Sequence, residues 1–159
     1  MGPAATVRFA TRADALAIAE MSRDLIEVGL GWSWTKERVM RCLRHPDTNA
    51  IVAVREGHRA GFAIMKYGDE EAHLVLLAVT PEHGRRGVGS AMVDWLEASA
   101  RIAGIARVTL EARAGNAAAR SFYEQLGYTS TQLLPGYYIG RETSVRMVKH
   151  LHLERTGAA

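Results

Sequence analysis

Gly84-Arg85-Arg86-Gly87-Val88-Gly89-Ser90 joins two segments of different periodicity, and that junction decides the fold. Upstream, His73-Leu74-Val75-Leu76-Leu77-Ala78-Val79 is an apolar, strand-like run closed by Thr80-Pro81. Downstream, Ser90 to Gly104 reads as an amphipathic helix with Met92, Trp95, Leu96, Ile102 and Ala103 at its apolar positions. A strand that ends in a glycine-rich turn and opens a helix presents free backbone N–H groups at the positive end of that helix. Such a place is an anion site whose usual guest is a phosphate. Gly84, Gly87 and Gly89 let the backbone approach a diphosphate closely, and Arg85 and Arg86 add charge. A Walker loop is excluded, because the chain has no Gly-Lys-Ser/Thr triplet. The dinucleotide fingerprint G-x-G-x-x-G is excluded too, since the glycines here read G-x-x-G-x-G. Taken alone, the turn is equally compatible with an ordinary connection between strand and helix.

The rest of the chain alternates strands and helices without an internal linker. Val7 to Ala10 suits a first strand, and Thr11 begins a helix running to about Val28, apolar at Leu16, Ala19, Met21, Leu25 and Ile26. Asp14 falls where an acidic side chain favours the helix N-terminus. Gly29 to Trp34 breaks this helix, and Thr35 caps a second one that ends before Pro46. Strands are predicted over Ala50 to Arg55, Ala60 to Tyr67 and Ala72 to Val79, with turns at Glu56-Gly57-His58 and Gly68-Asp69-Glu70. After the glycine-rich turn and its helix come a strand from Ala106 to Ala112, a helix from Asn116 to Leu126, and strands from Tyr128 to Leu134 and Thr143 to Leu151. That order predicts an α/β fold: a mixed central sheet of six to seven strands with helices on both faces. Residues 1–151 read as a single domain and 152–159 as a loose tail.

Composition bounds the function. A chain of 159 residues is one domain, long enough to bury a substantial core. No apolar run approaches a membrane span, and no secretory signal is expected. The single Cys42 excludes an internal disulfide and suits a reducing cytoplasm. Beside Val39 and Leu43 in a helix-like stretch, it reads as a core cysteine rather than a reactive thiol. Net charge is +3, and the twenty basic residues are scattered without interleaved aromatic residues, which argues against a nucleic-acid surface. The six histidines show no metal-ligand spacing, so no metal is expected. Monomer and homodimer are equally compatible with these residues.

A second segment, some thirty residues beyond the turn, gives the turn its meaning. Asn116, Ala119, Phe122, Tyr123, Leu126, Gly127 and Tyr128, taken with the turn, resemble the GNAT superfamily of N-acetyltransferases over roughly Val7 to Leu151. In that family a Q/R-x-x-G-x-G/A turn binds the pyrophosphate of acetyl-coenzyme A, and an N-x-x-A-x-x-F/L-Y-x-x-x-G-F/Y segment completes the thioester site. Gly84 stands at the Q/R position, a departure from the pattern. The resemblance implies a mostly antiparallel central sheet, acetyl-coenzyme A as cofactor, and a primary amine as acceptor. It assigns Leu77, Ala78 and Val79 to pantetheine and carbonyl, Gly84 to Ser90 to pyrophosphate, Asn116 to the cofactor arm, and Tyr123 to protonation of the departing sulfur. A phenol near pKa ~10 can protonate a thiolate without itself being ionised at neutral pH.

Acceptor chemistry is read from fewer residues. Leu110 to Ala119 is similar to the ribosomal-protein N-terminal alanine acetyltransferases, in which a glutamate twelve residues before the tyrosine, here Glu111, is the general base. An α-amine near pKa ~8 leaves about a tenth of the substrate neutral at pH 7, whereas lysine near ~10.4 leaves well under a thousandth. A carboxylate is therefore a more adequate base for α-amines than for lysines. Gly31-Trp32-Ser33-Trp34 and Tyr137-Tyr138 are similar to aromatic elements of that subgroup, which implies that Trp34, Tyr137 and Tyr138 flank the acceptor along with Glu111. Leu76, Thr80 and Glu142-Thr143-Ser144 depart from the subgroup pattern. The expectation is acetyl transfer by direct attack in a ternary complex, with a protein or peptide N-terminus as acceptor. A small-molecule amine remains an alternative, as does a non-catalytic acyl-coenzyme A-binding module.

Overall fold

Ala50 to Val54 and Ala60 to Met65 are apolar almost without interruption, the pattern of strands covered on both faces. The computed structural model, which describes residues 4–136 and 142–151, bears this out. The elements are β1 (Thr6–Phe9), α1 (Ala15–Met21), α2 (Lys36–Leu43), β2 (Thr48–Arg55), β3 (His58–Tyr67), β4 (Glu71–Val79), α3 (Val88–Ile102), β5 (Arg107–Arg113), α4 (Ala117–Gln125), β6 (Thr129–Leu134) and β7 (Ser144–His150). The strand order is β1-β2-β3-β4-β5-β7-β6, and β1/β2, β2/β3, β5/β7 and β6/β7 are antiparallel. Adjacent strands β4 and β5 are joined through α3, the crossover that a parallel pair requires, so the sheet is mixed as expected. Contacts gather the chain into two units, one of residues up to Tyr67 with Leu74–Leu96, the other of Gly68–His73 with residues from Glu97 on.

In the first unit, Ala15, Ile18 and Ala19 of α1 and Val39 of α2 pack on Ala50, Val52, Phe62, Ile64, Leu76 and Ala78. The opposite face of β2 and β3 presents Ile51, Ala53, Gly61, Ala63 and Met65, and Met92 of α3 reaches it. Helices therefore cover both faces here. A Cβ at Gly61 would lie 2.5 Å from the Ala78 carbonyl oxygen and 3.0 Å from the Met92 methyl carbon, so only glycine lets β4 seat this closely. Glu56 (φ 53°) and Gly57 (φ 78°) close the β2–β3 hairpin as a two-residue turn with both residues left-handed, tighter than the three-residue turn expected.

The second unit is organised around a buried carboxylate. Glu97 of α3 accepts from the Tyr128 hydroxyl at 2.9 Å and from Lys149 Nζ at 2.8 Å, with Arg101 at 3.7 Å. Val108, Leu110 and Ala112 of β5 are buried, and the β5–β7 register sets Leu110 opposite Met147.

Several expectations are corrected. The first helix is not continuous from Thr11 to Val28: a tight turn over Arg12–Asp14 leads into α1, and Ser22–Ile26 widens to an i→i+5 turn in which the Glu27 N–H donates to the Ser22 carbonyl at 2.8 Å. That widening accompanies a buried bond from the Ser22 hydroxyl to the Glu27 carboxylate at 2.9 Å. Helix α3 begins at Val88, not Ser90, because Gly87 is left-handed and its carbonyl accepts from Ala91 at 2.9 Å. Ile102 is 89% exposed; the buried stripe of α3 is Met92, Val93, Leu96 and Ala100, and the last turn projects past it. Strand ends shift by one or two residues where pairing outruns the apolar pattern, as at Thr48↔Lys66.

Asp14 does more than favour a helix start. It is fully buried and accepts from Arg8 at 2.8 and 3.0 Å, from Arg59 at 2.7 Å and from the Thr11 N–H at 2.7 Å. The Arg8 hydrogen bonds outweigh desolvation, and with Thr11 and Arg59 they hold its carboxyl well below the usual range. Its contribution is complete above the ordinary carboxylate pKa of about 4 and is lost as pH falls below it. Asp14→Asn is expected to lower stability by about 2 kcal/mol at neutral pH, with the difference from wild type shrinking between about pH 5 and pH 2, followed by urea denaturation. Gly61→Ala is expected to lose about 1–3 kcal/mol in the same assay, because the new Cβ meets backbone rather than a flexible side-chain tip.

Candidate active site

The end of β4 governs the glycine-rich turn. Thr80 donates its N–H to the Ala60 carbonyl at 2.8 Å, and Pro81–His83 then form one tight turn before Gly84. Along β4, Ala72, Leu74, Leu76 and Ala78 are buried while Leu77 and Val79 are half-buried. Arg85 (φ 59°) and Gly87 (φ 77°) are both left-handed, alternating with ordinary residues, a conformation that turns successive N–H groups toward one concavity. Val88, Gly89 and Ser90 open α3, and no helical carbonyl precedes them to take their N–H groups. Arg85 and Arg86 are exposed and have no carboxylate partner among the described residues. Gly84 has φ −62°, so its backbone makes no demand for glycine.

The predicted acceptor-side loop is held by a residue that the sequence did not single out. Glu27, 8% exposed, accepts from the Ser33 N–H at 2.7 Å, the Ser33 hydroxyl at 2.6 Å and the Trp34 N–H at 3.3 Å, besides Ser22. Burial alone would raise its carboxyl, but these donors prevail and hold it below the usual range. Trp32 donates from Nε1 to the carbonyls of Trp34 at 2.9 Å and Ala19 at 3.2 Å, which makes it a loop anchor. Trp34 is half-buried with the Arg38 guanidinium 3.8 Å from its ring centroid. Cys42 is half-buried, and burial pushes its thiol pKa up, as suits an unreactive side chain.

In the second unit, Glu111 projects from β5 and is about 40% exposed. Its Oε2 lies 3.9 Å from His73 Nε2 and 3.7 Å from Arg146 Nη2. The other ring nitrogen of His73 is 2.8 Å from the Thr109 hydroxyl. Burial pulls the His73 pKa below its ordinary value against the pull of Glu111. Neither His73 nor Arg146 was foreseen. Arg146 follows from the register, which sets it opposite Glu111. No periodicity links His73 to a residue 38 positions away.

Asn116 and Tyr123 sit at the start and on the inner side of α4. Asn116 caps the helix, its Oδ1 accepting from the Ala119 N–H at 3.1 Å, which leaves its amide N–H groups as donors. Tyr123 is 9% exposed and meets Phe122 and Tyr128 edge to face at 5.0 and 5.8 Å. Burial holds its hydroxyl pKa well above the ordinary phenol value, and the hydroxyl has no hydrogen-bond partner among the described residues. Tyr137 and Tyr138 lie outside the described residues.

Comparison with known proteins agrees with this architecture. The chain is 38% identical over 96 residues to the [ribosomal protein bS18]-alanine N-acetyltransferase of Escherichia coli K12, a match covering 58% of this chain and 65% of that protein. Among solved structures, Ard1 from Thermoplasma volcanium superposes with a TM-score of 0.83 at 25% identity, covering 94% of this chain and 99% of that one. The ribosomal-protein-S18-alanine N-acetyltransferase from Escherichia coli gives 0.79 at 26% identity, covering 96% and 98%. The model of the acetyltransferase (GNAT) family matches residues 17–128, well over half of the chain, and the protein belongs to that family.

Proposed function

We propose that this protein is an acetyl-coenzyme A-dependent N-acetyltransferase whose acceptor is the α-amine of a protein or peptide N-terminus, attacking directly in a ternary complex. The observation that carries the reading is the Glu111 carboxylate 3.9 Å from the His73 imidazole, because a module that only bound an acyl-coenzyme A would need neither. The 38% identity to an alanine N-acetyltransferase supports an N-terminal acceptor.

The residues present suit the cofactor. Left-handed Arg85 and Gly87, the free N–H groups of Val88, Gly89 and Ser90, and two exposed arginines suit a diphosphate. Leu77, Ala78 and Val79 are assigned to the pantetheine arm, and the Asn116 amide to holding that arm. When bound, acetyl-coenzyme A supplies the acyl thioester. Glu111 and His73 take up the proton that an incoming ammonium must lose, at Oε2 or Nε2, directly or through water. Tyr123 keeps its proton at Oη throughout the neutral range, since burial disfavours the phenolate, and its assigned role is donor to the departing sulfur. Trp34 is assigned to the acceptor's flank.

Tyr123→Phe is expected to lower kcat by about 10²-fold with coenzyme A affinity unchanged, read by thiol release and by calorimetry. Unaltered turnover would remove the proton-donor role. If His73 is the group that must be neutral, the acid limb of kcat/KM falls below the ordinary imidazole pKa of ~6.5. Because the Glu111 charge raises the His73 pKa, Glu111→Gln is expected to move that limb to still lower pH while lowering kcat. An unmoved limb would assign the titration elsewhere.

A further inference from the structure

A cavity of about 500 Å³ lies in the first unit, walled by α2 on one side and by β2, β3 and β4 on the other. Its basic side chains are Arg38, Arg41, His45 and Lys66, and no carboxylate lines it. The helical period brings residues 38 and 41 to one side of α2, His45 follows just past its C-terminal end, and Lys66 reaches in from β3, opposite Thr48 in the register. The Arg38 guanidinium carbon lies over the Trp34 ring, and its Nη1 is 3.3 Å from the Ser33 hydroxyl. Arg41 and Lys66 are exposed and have no ion pair with any described residue. Three permanent cations and an imidazole around one concavity repel one another, and an anion entering it relieves that repulsion. Ile64, Val75 and Trp34 supply apolar walls that suit the methylenes of a side chain carrying the anion. A single concavity, rather than a stripe of charge along the surface, fits one carboxylate better than a polyanion.

Position on β4 says where on an acceptor that carboxylate belongs, given the proposed role of Leu77–Val79 at the thioester. Val75 lines the cavity two to four residues before them, about 7–13 Å along a strand. An extended acceptor at ~3.3–3.6 Å per residue crosses that distance in about two to four residues. We propose that this cavity selects the acceptor, taking the carboxylate of an Asp or Glu at the third to fifth position of the polypeptide whose N-terminus is acetylated.

The test compares two alanine-led hexapeptides, one with Glu and one with Gln at positions three to five. Each is measured for binding by calorimetry and for turnover by thiol release, with wild type and with Arg41→Glu/Lys66→Glu. Both substituted residues are exposed, and circular dichroism checks that the variant folds. The Glu peptide is expected to bind wild type about tenfold more tightly, and the variant is expected to lose or invert that preference. Equal binding of the two peptides, binding of neither, or a preference that survives in the variant overturns the proposal. Acetylation of both peptides with equal kcat/KM and equal affinity removes the selection site and leaves the transferase reading intact. Charge-dependent binding of the Glu peptide without turnover of either supports the cavity as a carboxylate site and counts against acetyl transfer to these acceptors.

Discussion

A carboxylate taken out of water must be met by donors, and three such carboxylates hold the irregular parts of this chain in place. Asp14 draws Arg8 of β1 and Arg59 of β3 onto the start of the first helical segment. Glu27 gathers Ser22, Ser33 and the Trp34 N–H, which folds the Gly31–Trp34 loop back against the end of that segment. Glu97 ties α3 to Tyr128 and to Lys149 of β7. None of the three is assigned to the chemistry. Breaking a pair of this kind leaves a buried charge, so the geometry is all or nothing rather than graded.

The aromatic residues divide between support and display. Trp32 uses its indole N–H on two backbone carbonyls and is committed to the loop. Trp34 instead presents a ring face to Arg38 and lines a cavity. Tyr128 is bound to Glu97, whereas the Tyr123 hydroxyl has no partner among the described residues. The Asn116 oxygen caps α4, which leaves its amide N–H groups as donors.

Much of the architecture was legible because it rests on local rules. Apolar runs punctuated by Gly, Pro and Asp located all seven strands to within two residues. Thr35 was recognised as a cap, and its hydroxyl accepts from the Arg38 N–H at 3.3 Å. Helical periodicity, by contrast, does not continue unbroken through this chain. Ile102 fits an apolar stripe by count yet faces water, and the Ser22–Ile26 turn widens around a buried side-chain bond that no periodicity encodes.

The sequence by itself determined the element order, the glycine-rich turn between strand and helix, and the identity of Tyr123, Asn116 and Glu111 as chemical candidates. The element order and the turn follow from backbone preferences and local spacing, and the three candidates from the resemblance of their motifs to the acetyltransferase family. Tertiary structure alone decided what surrounds Glu111 and what lines the basic cavity. His73, Glu111 and Arg146 meet by strand pairing, and Lys66 joins the arginines of α2 only when the sheet is formed. The physical reason is that charge and burial act through space, and a residue's electrostatic neighbours lie far away along the chain.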